Sequence, residues 1–438
     1  MSIPIFFKKT FTIILLFTIT ASRSIAQYYF PPINSDEWET MSPEDLNWDQ
    51  ATLDSLKTFL DANDTKAFIV LKNGKLIVEE YFGTFEQDSS WYWASAGKVL
   101  TAFTVGLAQE AGHLNIEDTT SDYLGQGWTS LSSDQEKAIT IFHQLTMTTG
   151  LNDTGDLTCT NPNCLVYHSP AGERWSYHNA PYTLLQEVVS NALPFQNFNL
   201  FFSLNLRNKI GMRGGFLPLD FNRVYFSDAR SMARFGLLTL SGGVWDDEII
   251  MADTNYFNAM IRPSNNINPS YGYLWWLNGQ ESFMLPGFQV SFPGPISPNA
   301  PLDMVSAIGK NSQLLCVVPS EDLVLLRLGE PPTDFPGLTG PQFLNEIWNY
   351  MTRVIDIQTS SPPAVSLETS WIIYPNPAQD FIYINGDNHG VNIYDMNGVL
   401  VKSEKSLNSE RIDISMLSPG SYLVKCMLSG RQSVVIKK

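Results

Sequence analysis

Trp93-Ala94-Ser95-Ala96-Gly97-Lys98-Val99-Leu100 is the stretch on which the fold turns. Val99, Leu100, Phe103 and Leu107 recur at helical spacing, so a long helix runs on from Ser95. If Ser95 starts that helix, Lys98 sits one turn on, on the same face and near the hydroxyl. The positive end of the helix dipole disfavours an ammonium there, and so does burial, which lets Lys98 accept a proton. A hydroxyl beside such an amine is what Ser-Lys nucleophilic chemistry needs. Alone, a Ser-x-x-Lys match arises by chance on the order of once or twice in a chain this long. A capping serine beside a solvated lysine would read the same.

The second motif, in order along the chain, is Tyr177-His178-Asn179. The bare Tyr-x-Asn pattern also occurs at Tyr256, Tyr374 and Tyr383, so its setting decides. Only the Tyr177 copy lies in Pro170-Ala-Gly-Glu-Arg-Trp-Ser-Tyr-His-Asn-Ala-Pro-Tyr-Thr-Leu-Leu185. With Ile139-Thr-Ile-Phe-His-Gln-Leu-Thr-Met-Thr-Thr-Gly-Leu151, that stretch resembles the serine β-lactamase-related family over residues 44–355. The family includes class C β-lactamases, D-alanyl-D-alanine peptidases of the penicillin-binding-protein kind, certain esterases and 6-aminohexanoate-dimer hydrolases. The resemblance implies that Ser95 is the acylated nucleophile and that Lys98 keeps Tyr177 ionised or exchanges protons with it. Tyr177 is then general base for acylation and general acid toward the leaving group, and Asn179 holds Lys98 and the substrate. His178, between the functional positions, reads as structural. No metal or cofactor is implied.

The family's third motif is where this sequence departs. Lys72-Asn73-Gly74 matches superficially but lies in an early hairpin, so the candidate is Ala307-Ile-Gly-Lys-Asn-Ser-Gln313, before a strand pair. A backbone N–H near Lys310 would join that of Ser95 in an oxyanion hole, a role that needs no particular side chain. Ser312 replaces the usual glycine. The implied substrate is a small-molecule or peptide-like ester or amide. A β-lactamase or D-alanyl-D-alanine carboxypeptidase would use the same residues, and a non-catalytic binding protein on the same fold is the reading from another class. Trp91, Tyr92, Trp93, Trp275 and Trp276 read as core or pocket wall.

The expected fold class is α+β, a largely antiparallel sheet flanked by helices, with a small C-terminal β-sandwich. Helices are expected over Asp49 to Asp61 and Gln342 to Ile355, and strands on either side of Asn73-Gly74, over Tyr271 to Trp276, and over Leu314 to Val318 and Leu323 to Arg327. The strands lie at both ends of the domain, so the sheet is complete only when those ends meet.

Lys8 and Lys9, the apolar run Phe11 to Thr18 and Ser24-Ile25-Ala26 have the order of a secretory signal over residues 1–26. The apolar run is shorter than the roughly 20 residues that span a bilayer, and no later segment is long and apolar enough, so no transmembrane segment is expected after cleavage. Residues 27–43 read as an irregular arm, 44–355 as the hydrolase domain and 356–370 as a linker. Residues 371–438 read as short strands with turns at Asn385-Gly386, Asn397-Gly398 and Pro419-Gly420. Ile373-Tyr-Pro-Asn-Pro-Ala378, Val391-Asn-Ile-Tyr-Asp-Met-Asn-Gly398 and Leu417-Ser-Pro-Gly-Ser-Tyr-Leu423 resemble the C-terminal sorting domain of the type IX secretion pathway. That resemblance implies a Bacteroidota-type bacterium, the type IX secretion machinery as partner and a destination outside the cell or on its surface; the bland alternative is an accessory Ig-like module.

Of the net charge of −17, the signal carries +3 and residues 371–438 carry +1, which leaves −21 on residues 27–370. Such a surface repels phosphate backbones and excludes nucleic acid as a partner. The five histidines are scattered without a paired ligand motif, which excludes a zinc site. Export permits disulfides, so Cys159-Thr-Asn-Pro-Asn-Cys164 either closes a small loop or carries two free thiols. Cys316 falls in an apolar strand-like run and Cys426 in the tail, and both are expected to be buried.

Overall fold

The structure is a computed structural model that describes residues 28–195, 197–219, 221–334, 341–356, 372–374, 378–385, 389–395, 399–406, 411–427 and 432–437. The signal, all but the first residue of the linker, and the expected turns at Gly386 and Asn397-Gly398 lie outside the described residues.

Helix α1 (Gln50–Ala62) starts where the Asp49 side chain accepts from the N–H groups of Ala51 and Thr52, and it buries Leu53, Leu56 and Leu60. Strands β1 (Thr65–Lys72) and β2 (Lys75–Tyr81) form the expected hairpin, with Asn73 and Gly74 both at positive φ as a tight two-residue turn requires. The N-terminal arm is seated on that turn. A Cβ at Gly74 would lie 1.9 Å from the Tyr29 carbonyl oxygen, and Trp38 Nε1 donates to the Gly74 carbonyl at 2.7 Å.

β3 (Trp91–Tyr92) leads into the serine turn and helix α2 (Lys98–Glu110), which is buried almost all round. Helix α3 (Asn179–Ala192) follows the second motif, and the hairpin of β4 (Gly215–Leu219) and β5 (Asn222–Ser227) pairs with β3. Helix α4 (Ala229–Leu240), strands β6 (Trp276–Leu277), β7 (Val305–Gly309), β8 (Gln313–Val318) and β9 (Leu323–Gly329), and helix α5 (Pro341–Ile355) complete the domain.

The main sheet has the order β2-β1-β9-β8-β7-β6, and the pairing of β1 with β9 joins the two ends of the domain. Both faces are covered. Phe68, Val70, Cys316 and Leu325 pack with α1 and α5, while Ile69, Leu315, Val317 and Leu326 pack with the α2 side. The central strands are therefore continuous apolar runs rather than alternating ones.

The structure corrects one expectation. Tyr271 to Trp276 is a tight loop closed by a Tyr271–Trp276 bridge, with Leu274 at φ 61°, and only Trp276–Leu277 joins the sheet. The run is apolar because its rings fill the core behind the site, a pattern that period alone does not separate from a strand.

Cys159 and Cys164 are joined in a disulfide, and Cys316 and Cys426 are buried. The tail forms a three-stranded and a four-stranded sheet around Ile382, Ile384, Val391, Ile412 and Val424. On its strand Gly420–Cys426, Tyr422 and Val424 face that core. Leu423, of opposite parity, is buried against Leu285, Phe288 and Phe292 of the larger domain.

Candidate active site

The serine turn is held from below. Trp93 is fully buried, its backbone N–H donates to the Tyr225 carbonyl, and its Nε1 donates to Ser227 Oγ at 2.8 Å. Ala94 then adopts φ 48°, a conformation alanine rarely takes and one that persists only where surroundings enforce it. Ala94–Gly97 is a 3-10 turn rather than the first turn of the α-helix, with the Lys98 N–H donating to the Ser95 carbonyl. With three residues per turn, side chains three apart eclipse one another. Lys98 is thus brought directly over Ser95, and its Nζ lies 2.8 Å from Ser95 Oγ.

Lys98 is only 4 % exposed and has no ion pair among the described residues. Its Nζ lies 5.0 Å from the centre of the Tyr177 ring and 4.5 Å from that of Tyr182. Burial brings its pKa down from 10.5 to about 7, so a large fraction of the amine is neutral near neutral pH. Tyr177 is within hydrogen-bonding reach of Ser95, but burial drives its pKa above the ordinary phenol value, outweighing the Ser95 bond that favours ionisation. The electrostatics therefore favour a neutral phenol beside a neutral amine over an ammonium–phenolate pair. Trp276 stacks on Tyr177 with centres 6.1 Å apart, and Tyr271 and Trp175 meet it at steeper angles.

His178 is the residue before α3, is 2 % exposed, and burial lowers its pKa to about 4. The nearby Asp153 and Asp156 carboxylates favour its charged form but do not outweigh that burial. Asn179 opens α3 and is half-buried; among the described residues no hydrogen bond joins its side chain to Lys98.

The 310–312 turn closes the other side. A Cβ on Gly309 would stand 2.5 Å from the Trp93 carbonyl oxygen and 2.9 Å from the Ala96 nitrogen, so only glycine lets β7 approach the serine turn this closely. Asn311 and Ser312 both have positive φ. Their carbonyls accept from Arg327 Nη1 at 2.6 and 3.2 Å, and the Lys310 carbonyl accepts from Gln313 Nε2 at 3.3 Å. Because a trans peptide points its N–H opposite its carbonyl, the following N–H groups are turned away from Arg327. The Lys310 side chain is exposed, and Ser312 Oγ is buried with no hydrogen-bond partner among the described residues.

Arg327 was not legible as part of this assembly. Fully buried in β9, it gives all five guanidinium N–H groups to neutral acceptors: Thr65 Oγ1 and the carbonyls of Asn63, Asn311, Ser312 and Glu330. A lone arginine in Leu323-Val-Leu-Leu-Arg-Leu-Gly329 was the available signal, since arginine is rarely buried without partners. Tyr182 is the other residue that sequence left out, and Tyr92, read there as core or pocket wall, has a hydroxyl that accepts from Asn311 Nδ2 at 2.6 Å.

Residues 61–328 match the family model described as Beta-lactamase, which is more than half of the chain. The chain belongs to the β-lactamase family. Members of this family are serine hydrolases. Residues 372–438 match the secretion system C-terminal sorting domain, so this β-lactamase-family protein is addressed by type IX secretion to the cell surface or beyond it.

Solved structures share the fold. A protein assigned as a 6-aminohexanoate-dimer hydrolase from Bacillus anthracis aligns with TM-score 0.56 at 17% identity, over 74% of this chain and 89% of its own. One assigned as a β-lactamase from Bacteroides dorei gives 0.57 at 16%, over 71% of this chain and 100% of its own. A family VIII carboxylesterase gives 0.54 at 12%, over 73% and 99%. No curated protein sequence matches this β-lactamase-family chain.

Proposed function

We propose that this protein is an exported serine hydrolase that cleaves an ester or amide bond through an acyl-enzyme on Ser95. The observation that carries this reading is the 2.8 Å contact between Ser95 Oγ and the Nζ of a buried lysine whose pKa burial has lowered to about 7. In the proposed cycle neutral Lys98 takes the Ser95 proton as Oγ attacks the substrate carbonyl. The oxyanion is received by the N–H of Ser95 and one near Lys310. Collapse expels the leaving group, which takes a proton from the Tyr177 hydroxyl while Tyr177 takes one from the Lys98 ammonium. Water then attacks the ester, passing its proton to Lys98 by the same groups, and Ser95 Oγ regains a proton. Asn179 is assigned to the substrate side.

A neutral ester or amide suits the site better than a carboxylated substrate. Lys310, the lysine of the third motif, is exposed, Arg327 directs its donors to backbone carbonyls and Thr65, and the surrounding domain is strongly acidic. Intact-mass analysis with a fluorophosphonate tests the reading: one adduct is expected, lost in Ser95→Ala, and labelling that survives this substitution sinks it. Steady-state kinetics on a p-nitrophenyl ester, a chromogenic cephalosporin and a linear amide dimer then ranks the substrates.

A further inference from the structure

Toward the serine turn the sheet of β3, β5 and β4 has one face inside the protein and one outside, while at its far end Pro218 and Arg223 on the inner-face side are exposed as well. Phe216 and Tyr225, directly paired, are buried, and the Tyr225 Cβ lies where a side chain on Gly97 would meet it. Period two then sends Tyr92, Phe226, Val224 and Leu217 to the outer face, with Tyr92 opposite Phe226, Leu217 opposite Val224, and Leu219 opposite Asn222. The Tyr92 and Phe226 rings meet at a tilt of 53° with centres 6.2 Å apart. Leu217 and Leu219 are 51% and 54% exposed, while Tyr92, Asn222, Val224 and Phe226 are partly buried, so the strip is open at its β4 side. None of the six residues carries an acid or a base charged at neutral pH, within a domain of net charge −21.

Both ends of the strip are tied to the site. Tyr92 holds Asn311 of the 310–312 turn, and Asn222 Oδ1 accepts from Thr183 Oγ1 at 3.1 Å. Thr183 stands one helical turn beyond Asn179 on the same side of α3. The strip therefore begins beside the turn assigned to the oxyanion and ends beside the helix that carries Asn179. Two interstrand spacings across the sheet and two residues along it take the strip about 12 Å from Tyr92 to Leu217, room for an extended chain of about eight to ten carbons.

We propose that this face is the floor for the acyl part of the substrate, and that the enzyme selects esters or amides with an extended apolar acyl chain. The proposal rests on the acyl-enzyme reading and names its substrate class. The test compares kcat/KM for p-nitrophenyl octanoate and acetate in the full chain and in the Leu217→Ser/Leu219→Ser variant, with fluorophosphonate labelling of Ser95 in parallel. A fully buried methylene is worth about fourfold in binding, so even partial burial gives octanoate an advantage of about tenfold or more. The variant should lower the octanoate:acetate ratio at least about fivefold by removing aliphatic contact, and the ratio cancels any general loss of active enzyme. A wild type without chain-length preference, or a variant that keeps it, overturns the acyl floor and leaves the acyl-enzyme standing. Absence of both turnover and Ser95 labelling overturns the two together.

Discussion

Replacing Lys98 by methionine should abolish turnover and, at and below neutral pH, make the protein more stable. In the unfolded chain this lysine holds its proton up to its ordinary pKa of 10.5, whereas in the native site it releases it at about 7. Between those values the unfolded state binds more protons, so stability rises with pH; below about 7 the penalty of a buried ammonium is fully present. At 1.36 kcal/mol per pKa unit, the shift amounts to about 4 kcal/mol at pH 7. Methionine has nearly the same length and no charge to desolvate, so it fills the space without that penalty. Loss of the contacts to Ser95 Oγ and to the Tyr177 and Tyr182 rings offsets part of the gain. A net rise in melting temperature of several degrees is expected at pH 6, about 2–4 °C per kcal/mol retained. Calorimetry of both proteins at pH 6 and pH 10 is the assay, and the difference should shrink at the higher pH. A variant less stable than wild type at pH 6, or a difference independent of pH, would refute the reasoning. It would mean that the ammonium is compensated in the native state, as by an ionised Tyr177.

The same release near 7 predicts that kcat/KM for a neutral ester rises with pH through about 7 and then levels, because only the neutral amine accepts the serine proton; a flat profile from pH 5 to 8 removes Lys98 as the base. Gly309→Ala pushes a methyl group into the serine turn and should lower kcat about a hundredfold with the domain still folded by circular dichroism; near-normal kcat means the turn yields freely. Arg327→Met strips donors from the carbonyls of Asn63, Asn311, Ser312 and Glu330, with an expected destabilisation of about 3–5 kcal/mol in urea titration, whereas a loss within about 0.5 kcal/mol denies the arginine its role. Cys159→Ser/Cys164→Ser opens a small loop and should cost about 2 kcal/mol by chain entropy, and an unchanged unfolding midpoint counts against that.

Leu53, Leu56 and Leu60 at helical spacing, the Asn73-Gly74 turn and the apolar runs of β8 and β9 are local patterns, and local chemistry alone determined those elements. Linear order also placed Lys98 beside Ser95, because Lys98 needs only its position three residues after Ser95 to reach the hydroxyl, whereas Tyr177 was assigned through the resemblance of its surrounding stretch. The Tyr271 to Trp276 run was misread as a strand because its rings serve a core that the sequence pattern does not display. Whether Tyr177 or Lys98 carries the charge could not be read from residue types, since the pKa of each depends on burial by α3, Trp276 and Tyr182. The role of Gly309 and the five-fold ligation of Arg327 join residues far apart in the chain, and only the packing of β7 on the serine turn and of β9 beside β1 brings them together. Desolvation and close approach are properties of the assembled volume, so the tertiary structure decided the electrostatics of the site while the sequence determined which groups would meet there.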